Sequence, residues 1–172
     1  MDLGFADATA VIAGGTRGIG LATAACVAER GARVAIIGRD DNRLAAAGTA
    51  LAAAGSPEVL TLKADLGSPS DVEDAFATVG ARWGALNVLV NAAGPVAAGR
   101  FEDLDDMRWT AAFDSGVVSA VRTVRAALPL LRAAPWARVV NVTGEHALYL
   151  RHSQATADLK RAGDRAAQPA DR

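Results

Sequence analysis

The chain alternates short apolar runs with longer segments in which apolar residues recur at a helical spacing. Runs rich in β-branched residues predict five strands, at 8–13, 33–37, 59–63, 86–91 and 138–142. Because these runs are apolar at successive positions, the strands are expected to be buried on both faces, as in a parallel sheet covered by helices.

Four segments between the apolar runs carry a helical pattern, at 18–30, 41–54, 70–83 and 105–133. Strands and helices that alternate in this way predict βαβ units. The expected fold class is therefore α/β, a Rossmann-type doubly wound parallel sheet of about five strands with helices on both faces. One domain is expected over residues 1–161, and the small and polar residues 162–172 predict a disordered tail.

Composition excludes several classes of function. The 172 residues are 51% hydrophobic and 22% charged with a formal net charge of −1, which is typical of a soluble domain and does not favour binding to nucleic acid or to a membrane. No apolar run is long enough to span a bilayer, and the N-terminus lacks the basic region of a signal peptide. The single cysteine, Cys26, fits a reducing cytoplasm, and it is predicted to lie on the inner face of the first helix, toward the core of the protein.

A glycine-rich turn, AGGTRGIG, joins the first strand to the first helix. Gly14, Gly18 and Gly20 let the backbone turn sharply and approach a ligand closely. The helix that begins near Gly18 presents free N–H groups and the positive end of its dipole, which together favour a diphosphate. An ordinary βα turn would not need three glycines here, so the turn predicts a dinucleotide site completed by Thr16, Arg17 and Ile19.

The end of the second strand, IIGRDD, bears on which dinucleotide binds. An acidic residue at this place is typical of NAD binding, whereas Gly38 has no side chain that could hold a ribose hydroxyl. Arg39, together with Arg17, could pair with the 2′-phosphate of NADP, and each such bond contributes roughly 1.5–3 kcal/mol. Asp40 and Asp41 argue against this interpretation unless they serve as helix caps. NADP is therefore expected in preference to NAD.

Taken together, these segments resemble the short-chain dehydrogenase/reductase family. The matching motifs are GGTRGIG at 14–20, ADL at 64–66, VNAAG at 90–94, ALPLL at 127–131 and RVVNV at 138–142. The resemblance runs from residue 7 to about residue 160 and implies hydride transfer between a nicotinamide and the carbonyl or alcohol carbon of a small molecule. It also implies that Asp65 contacts the adenine amine, and that Asn91 and Gly94 shape the floor under the nicotinamide half.

The catalytic positions of that family are only partly kept. Its asparagine and serine correspond to Gly116 and Gly144, with Thr143 one place before the serine position, and its tyrosine and lysine correspond to Thr156 and Lys160. An aliphatic hydroxyl ionises about five pKa units above a phenol, which removes roughly 7 kcal/mol of proton-transfer driving force. Thr143, Thr156 and Lys160 are thus the candidate catalytic residues of an oxidoreductase expected to be impaired.

Other interpretations remain open at this point. Glu145, His146 and Tyr149 follow the last strand and could serve non-redox acid–base chemistry, although a solvated loop is the favoured explanation. His146 and His152 match no strong metal-ligand spacing, so no metal site is predicted. The chain could also be a non-catalytic NADP-binding protein that docks onto a partner or a second copy through the long helix 105–133, or a fragment or frame-shifted product.

Overall fold

The structure, a computed structural model, describes residues 4–94 and 104–143 and alternates strands with helices throughout them. Every strand and helix predicted from the sequence is present, and no boundary differs by more than two residues. The elements are β1 (Thr9–Ala13), α1 (Gly18–Ala28), β2 (Arg33–Gly38), α2 (Asp41–Ala53), β3 (Val59–Lys63), α3 (Pro69–Trp83), β4 (Val88–Asn91), α4 (Asp106–Phe113), a π-helical segment (Asp114–Val118), α5 (Ser119–Ala133) and β5 (Arg138–Asn141).

The strands form one parallel sheet in the order β3-β2-β1-β4-β5. From β1 the chain first builds the sheet outward through β2 and β3, and then returns to add β4 on the other side of β1. Ala13, at the end of β1, pairs with Ile37 of β2 and with Asn91 of β4. In a doubly wound sheet a crevice opens beyond the carboxyl ends of the strands at the place where the order reverses. Here that place lies between β1 and β4.

Two apolar cores cover the central strands, one on each face of the sheet. Alternate residues of a strand point to opposite faces, so Ile12 and Ile36 pack against α1 and α2 while Val11 and Ile37 pack against α3 and α5. β1 is buried along its whole length. This confirms the expected Rossmann-type fold with helices on both faces.

The expectation that all five strands are buried on both faces is wrong for the two edge strands, since no residue of β3 is buried and β5 is more exposed still. All four residues of β5 are exposed, and Val139 and Val140 keep 42% and 48% of their accessible surface. The reason is its position, because β5 pairs with β4 and no described strand lies on its outer side. Its apolar sequence alone could not distinguish an edge strand from a central one.

The prediction that Cys26 faces the core is also wrong. Cys26 is exposed, and the Arg30 guanidinium lies 3.0 Å from its sulfur on the outer side of α1. The buried face of α1 consists of Gly20, Ala24, Val27 and Ala28. Because small apolar residues occur on every side of this helix, the sequence pattern does not indicate which side packs on the sheet.

The long helix predicted over 105–133 is present as α4, the π-helical segment and α5, which follow one another without a break. Asp105 caps its start, since the Asp105 carboxylate accepts the backbone N–H of Arg108 at 2.8 Å. A π-helical turn inside an α-helix often marks a functional site. No helix within residues 4–94 and 104–143 is long and apolar enough to cross a membrane.

Candidate functional site

An open cleft of about 970 Å³ lies at the carboxyl ends of the central strands, where the strand order reverses. Its walls come from the glycine turn after β1, from the ends of β2 and β3, from the loop after β4 and from the long helix. Nine of the ten residues predicted to bind the cofactor line it, namely Gly14, Thr16, Arg17, Gly18, Ile19, Gly20, Arg39, Asp65 and Gly94. The tenth, Asn91, does not.

The glycine turn packs backbone against backbone. Gly14 has a φ of +82°, and a Cβ atom placed on it would lie 2.7 Å from the backbone nitrogen of Ala93 in the loop after β4. A Cβ atom on Gly20 would lie 2.2 Å from the carbonyl oxygen of Gly14. Neither position therefore has room for a side chain, which explains why the sequence needs glycine at both.

Helix α1 begins without a side-chain cap. Arg17 precedes it in an extended conformation, and the first helical hydrogen bond runs from the Leu21 N–H to the Arg17 carbonyl. By contrast, Asp40, Ser68 and Asp105 cap α2, α3 and α4 through their side chains. The first N–H groups of α1 thus remain available at the cleft, which is the arrangement that binds a phosphate or diphosphate.

Two arginines stand at the mouth of the cleft near the end of β2. Arg17 and Arg39 are exposed, and neither forms an ion pair with another residue in the described part of the chain. In the same wall of the cleft, the Thr16 methyl group lies 2.6 Å from the position that a Cβ atom on Gly38 would take. The lining of the cleft therefore includes two positively charged arginines, whereas residue 38, a glycine, contributes no carboxylate.

The two aspartates that follow Arg39 are already engaged. Asp40 caps α2 by accepting the backbone N–H of Arg43 at 3.0 Å, and its second oxygen lies 3.8 Å from the Arg43 side chain. Asp41 forms an ion pair with Lys63 at 2.5 Å. That hydrogen bond raises the pKa of Lys63 above its ordinary 10.5. Both carboxylates thus have cationic partners of their own.

Asp65 lies two residues after the end of β3, on the wall of the cleft. One of its carboxylate oxygens accepts the backbone N–H of Gly67 at 2.9 Å. Its own backbone N–H donates to the carboxylate of Asp71, in the first turn of α3, at 3.0 Å. The loop from Asp65 to Ser68 is therefore held at its start by a residue of the following helix.

Asn91 is placed beneath the cleft by contacts to two other elements. Its side chain is hydrogen bonded to the Thr123 hydroxyl of α5 at 2.7 Å and to the side chain of Asn141 in β5 at 2.8 Å. Thr123 is completely buried and Asn91 is 5% exposed. The amide of Asn91 therefore ties β4, α5 and β5 together at the end of the sheet.

The candidate catalytic residues lie only partly within the described chain. Thr143 lies two residues after the end of β5 and is exposed, and Gly116 is the middle residue of the π-helical segment. Three groups of predicted residues lie outside the described residues: the catalytic candidates Thr156 and Lys160, the loop residues Gly144, Glu145, His146, Tyr149 and His152, and the tail 162–172. Within residues 4–94 and 104–143, no cluster of histidine, cysteine or acidic side chains could hold a metal ion.

Two serines that the sequence analysis missed also line the cleft. Ser115 and Ser119 lie on either side of Gly116 in the long helix. Their hydroxyls donate to the carbonyls of Ala111 and Ser115, both at 2.6 Å, so the oxygen of each remains able to accept a hydrogen bond. The signal was their spacing of four residues, which places them near one another on a helix.

Comparison with known proteins shows which family the chain is similar to. A family model described as short chain dehydrogenase matches residues 8–156. The chain is 33% identical over 141 residues to a D-beta-hydroxybutyrate dehydrogenase of Rhizobium meliloti. L-Sorbose reductase of Gluconobacter frateurii, in complex with NADPH and L-sorbose, superimposes with a TM-score of 0.87 and 28% identity over 95% of this chain.

The relatives differ in cofactor and in length. An NADH-dependent reductase, A1-R′ complexed with NAD, covers 97% of this chain with a TM-score of 0.84 at 23% identity, and at that identity only the fold is informative. The matched part of this chain, 81% of its residues, covers 55% of the D-beta-hydroxybutyrate dehydrogenase. L-Sorbose reductase is covered to 62% of its length. The chain thus spans about half the length of the curated relatives that it matches first.

Proposed function

The chain belongs to the short-chain dehydrogenase/reductase family, and on this premise we propose that it binds NADP in the cleft between β1 and β4. The observation that carries the proposal is the pairing of an uncapped helix start with two arginines that have no partner among the described residues. The helix N-terminus suits the diphosphate, and Arg17 and Arg39 suit the 2′-phosphate. When bound, the cofactor supplies a hydride for exchange with the carbonyl or alcohol carbon of a small molecule.

The engaged aspartates favour NADP over NAD. NAD is typically held by an acidic side chain on its ribose hydroxyls, and position 38 has no side chain. Asp40 and Asp41 are held by Arg43 and Lys63, so their charges are matched locally. A 2′-phosphate approaching Arg39 therefore meets less repulsion than the sequence RDD suggests. A reducing, cytoplasmic location is part of this proposal.

We further propose that proton transfer is slow in this chain. The long helix carries Gly116 in place of an asparagine, and Thr143 stands one place before the position of the family serine, now Gly144. With Thr156 at the tyrosine position, only Lys160 retains the residue type found in the family site. Binding of the cofactor and its use in catalysis are thus separate properties, which can be measured separately.

Calorimetric titration with NADPH and NADH tests the binding proposal. We expect the wild type to bind NADPH more tightly than NADH. Arg39→Asp is expected to weaken the affinity for NADPH by about tenfold to a hundredfold and to change the affinity for NADH little. Arg125→Asp, which makes the same change of charge on an exposed helix position away from the cleft, is the matched control. Equal affinity of Arg39→Asp and Arg125→Asp for NADPH would contradict the assignment.

Turnover is tested by following NADPH absorbance with a panel of ketones and aldehydes. Bound NADPH that is not consumed by any of them is the expected result for the wild type, and Thr156→Tyr combined with Gly144→Ser is expected to raise the rate. A wild-type rate typical of the family, with kcat of about 10 per second, would contradict the proposed impairment.

The long helix favours a second candidate function, association with another copy of the chain. Phe113, Val117, Val121 and Leu128 are exposed large apolar residues spaced four, four and seven residues apart, and Phe113 keeps 61% of its accessible surface. Contiguous apolar surface of this kind is typical of interaction sites. Sedimentation of the wild type and of Val121→Glu tests it, and a wild type that stays monomeric at high concentration would rule it out.

A further inference from the structure

We propose that Asp71, a residue outside the cleft, is a positioning residue that holds Asp65 in place for the adenine end of the dinucleotide. The inference rests on the proposed function, because it takes the adenine of NADP to lie against Asp65. Asp65, Leu66 and Gly67 line the cleft, whereas Asp71 in the first turn of α3 does not. Asp71 can therefore act on a ligand only through the loop before it.

The hydrogen bonds of Asp71 differ from those of an ordinary helix cap. In a capping box the acid at the third helical position accepts the backbone N–H of the capping residue. Here the N–H of the capping residue, Ser68, donates instead to the carbonyl of Asp65 at 2.9 Å. The Asp71 carboxylate extends past the cap and accepts the N–H of Asp65 at 3.0 Å. The bond thus joins the end of β3 to the start of α3.

Both oxygens of the Asp71 carboxylate are used. The second accepts the hydroxyl of Ser68 at 2.7 Å, so the carboxylate cannot rotate without breaking a bond. Hydrogen bonding from the Asp65 backbone, and then from Ser68, holds the pKa of Asp71 below its ordinary 3.8. Asp71 is therefore charged at neutral pH, and bonds to a charged acceptor are stronger than bonds between neutral groups.

Three polar groups of Asp65 are consequently held by hydrogen bonds to its neighbours. Its backbone N–H is held by Asp71, its carbonyl by the Ser68 N–H, and one carboxylate oxygen by the Gly67 N–H. The other carboxylate oxygen makes no hydrogen bond to the rest of the described chain and can accept one from an amine. The arrangement presents a single acceptor at the cleft wall in one orientation.

Calorimetric titration with 2′,5′-ADP, which carries the adenine end of NADP without the nicotinamide, tests this role. We expect Asp71→Ala to weaken the affinity for 2′,5′-ADP about tenfold, since it removes the hydrogen bond to the backbone N–H of Asp65. Asp71→Asn keeps an oxygen that can accept the same N–H and is expected to retain most of the affinity. Asp71→Glu keeps an acid at the third helical position, which favours folding, but moves its oxygens past the Asp65 N–H and is expected to bind as weakly as Asp71→Ala.

Asp105→Ala is the matched control, because it removes the equivalent bond to a backbone N–H at the start of α4. Its unfolding midpoint is expected to fall like that of Asp71→Ala, with its affinity for 2′,5′-ADP unchanged. If Asp71→Ala and Asp71→Glu bind 2′,5′-ADP as the wild type does, the positioning role is overturned and the proposed function stands. If Asp71→Ala does not fold, the affinity of Asp71→Glu for 2′,5′-ADP alone tests the positioning role. A wild type that binds neither NADPH nor 2′,5′-ADP overturns both proposals.

Discussion

At the scale of single residues, two buried polar groups, Asn91 and Thr123, are hydrogen bonded to one another at the end of the sheet. Thr123 has no accessible surface, and its hydroxyl lies within hydrogen-bonding distance of the Asn91 side chain and of the Ala120 carbonyl. A buried amide that loses its partner keeps its desolvation penalty. The side chain of Asn91 is thus held in place by α5, although α5 is distant from it in the sequence.

Replacement of Thr123 by valine tests this constraint. We expect Thr123→Val to lower the free energy of unfolding by about 1–3 kcal/mol, since the side-chain oxygen of Asn91 then loses the hydroxyl that donates to it. Urea unfolding measures the change. Thr78→Val, at an exposed threonine whose hydroxyl bonds only to its own helix, is the control and should change stability by less than about 0.5 kcal/mol. Equal effects of the two substitutions would contradict the inference.

At the scale of elements, helix ends are fastened to the sheet by side chains that the local pattern does not identify. Glu58, just before β3, accepts hydrogen bonds from Arg82 and from the Trp83 indole, both in the last turn of α3. These bonds hold the pKa of Glu58 below its ordinary 4.5. They join the start of β3 to the end of α3, at the amino ends of the strands and thus away from the cleft.

The contribution of Glu58 should therefore depend on pH. Because its pKa is lower in the folded protein than in the unfolded chain, its stabilisation is complete above about pH 4.5 and is lost as the pH falls through the lowered value. We expect Glu58→Gln to lower stability at pH 7, by no more than about 1 kcal/mol because Arg82 is largely exposed, and to have little effect near pH 3.

Urea unfolding at the two pH values measures this difference. Glu73→Gln, at an exposed carboxylate of α3, is the control and should show a small effect that is alike at both pH values. A Glu58→Gln penalty as large at pH 3 as at pH 7 would contradict the charge-dependent role.

At the scale of the whole molecule, stability is expected to decrease from the centre of the sheet toward β5. β1 lies between two strands and two apolar cores, whereas β5 pairs with one described strand and is exposed. Regions with few buried apolar contacts open at a lower free energy than the core. The cleft lies against both kinds of strand, since Gly14 follows β1 and Val142 follows β5.

Amide hydrogen exchange tests this gradient. The N–H groups of Arg138 and Val142 donate to the carbonyls of Asn87 and Asn91, so those of Val139 and Asn141, on the other side of the strand, should exchange fast. The amides of β1 should exchange slowest, with protection near that of global unfolding. Protection of Val139 and Asn141 equal to that of β1 would show that other residues cover this edge.

Much of the fold was predictable because it depends on local pattern. Strand and helix boundaries follow from apolar spacing, and the glycine turn identifies the cleft because Gly14 and Gly20 have no room for a side chain. The serines at 115 and 119 were missed because their spacing of four residues places them near one another on a helix but does not indicate that they border the cleft. Cys26 was misplaced for the related reason that its helix is apolar on every side.

The sequence by itself determined the order of the elements, the Rossmann-type class and the turn built for a diphosphate, because each depends on residues close together in the chain. Only the tertiary structure decided that β5 is exposed and that the Asp71 carboxylate accepts the backbone N–H of Asp65. It also decided that Asp41 forms its ion pair with Lys63, while Arg39 has no ion-pair partner among the described residues. These features depend on which side chains meet across the sheet edge or across a loop. Such contacts are set by packing between elements, and no spacing within a single segment encodes them.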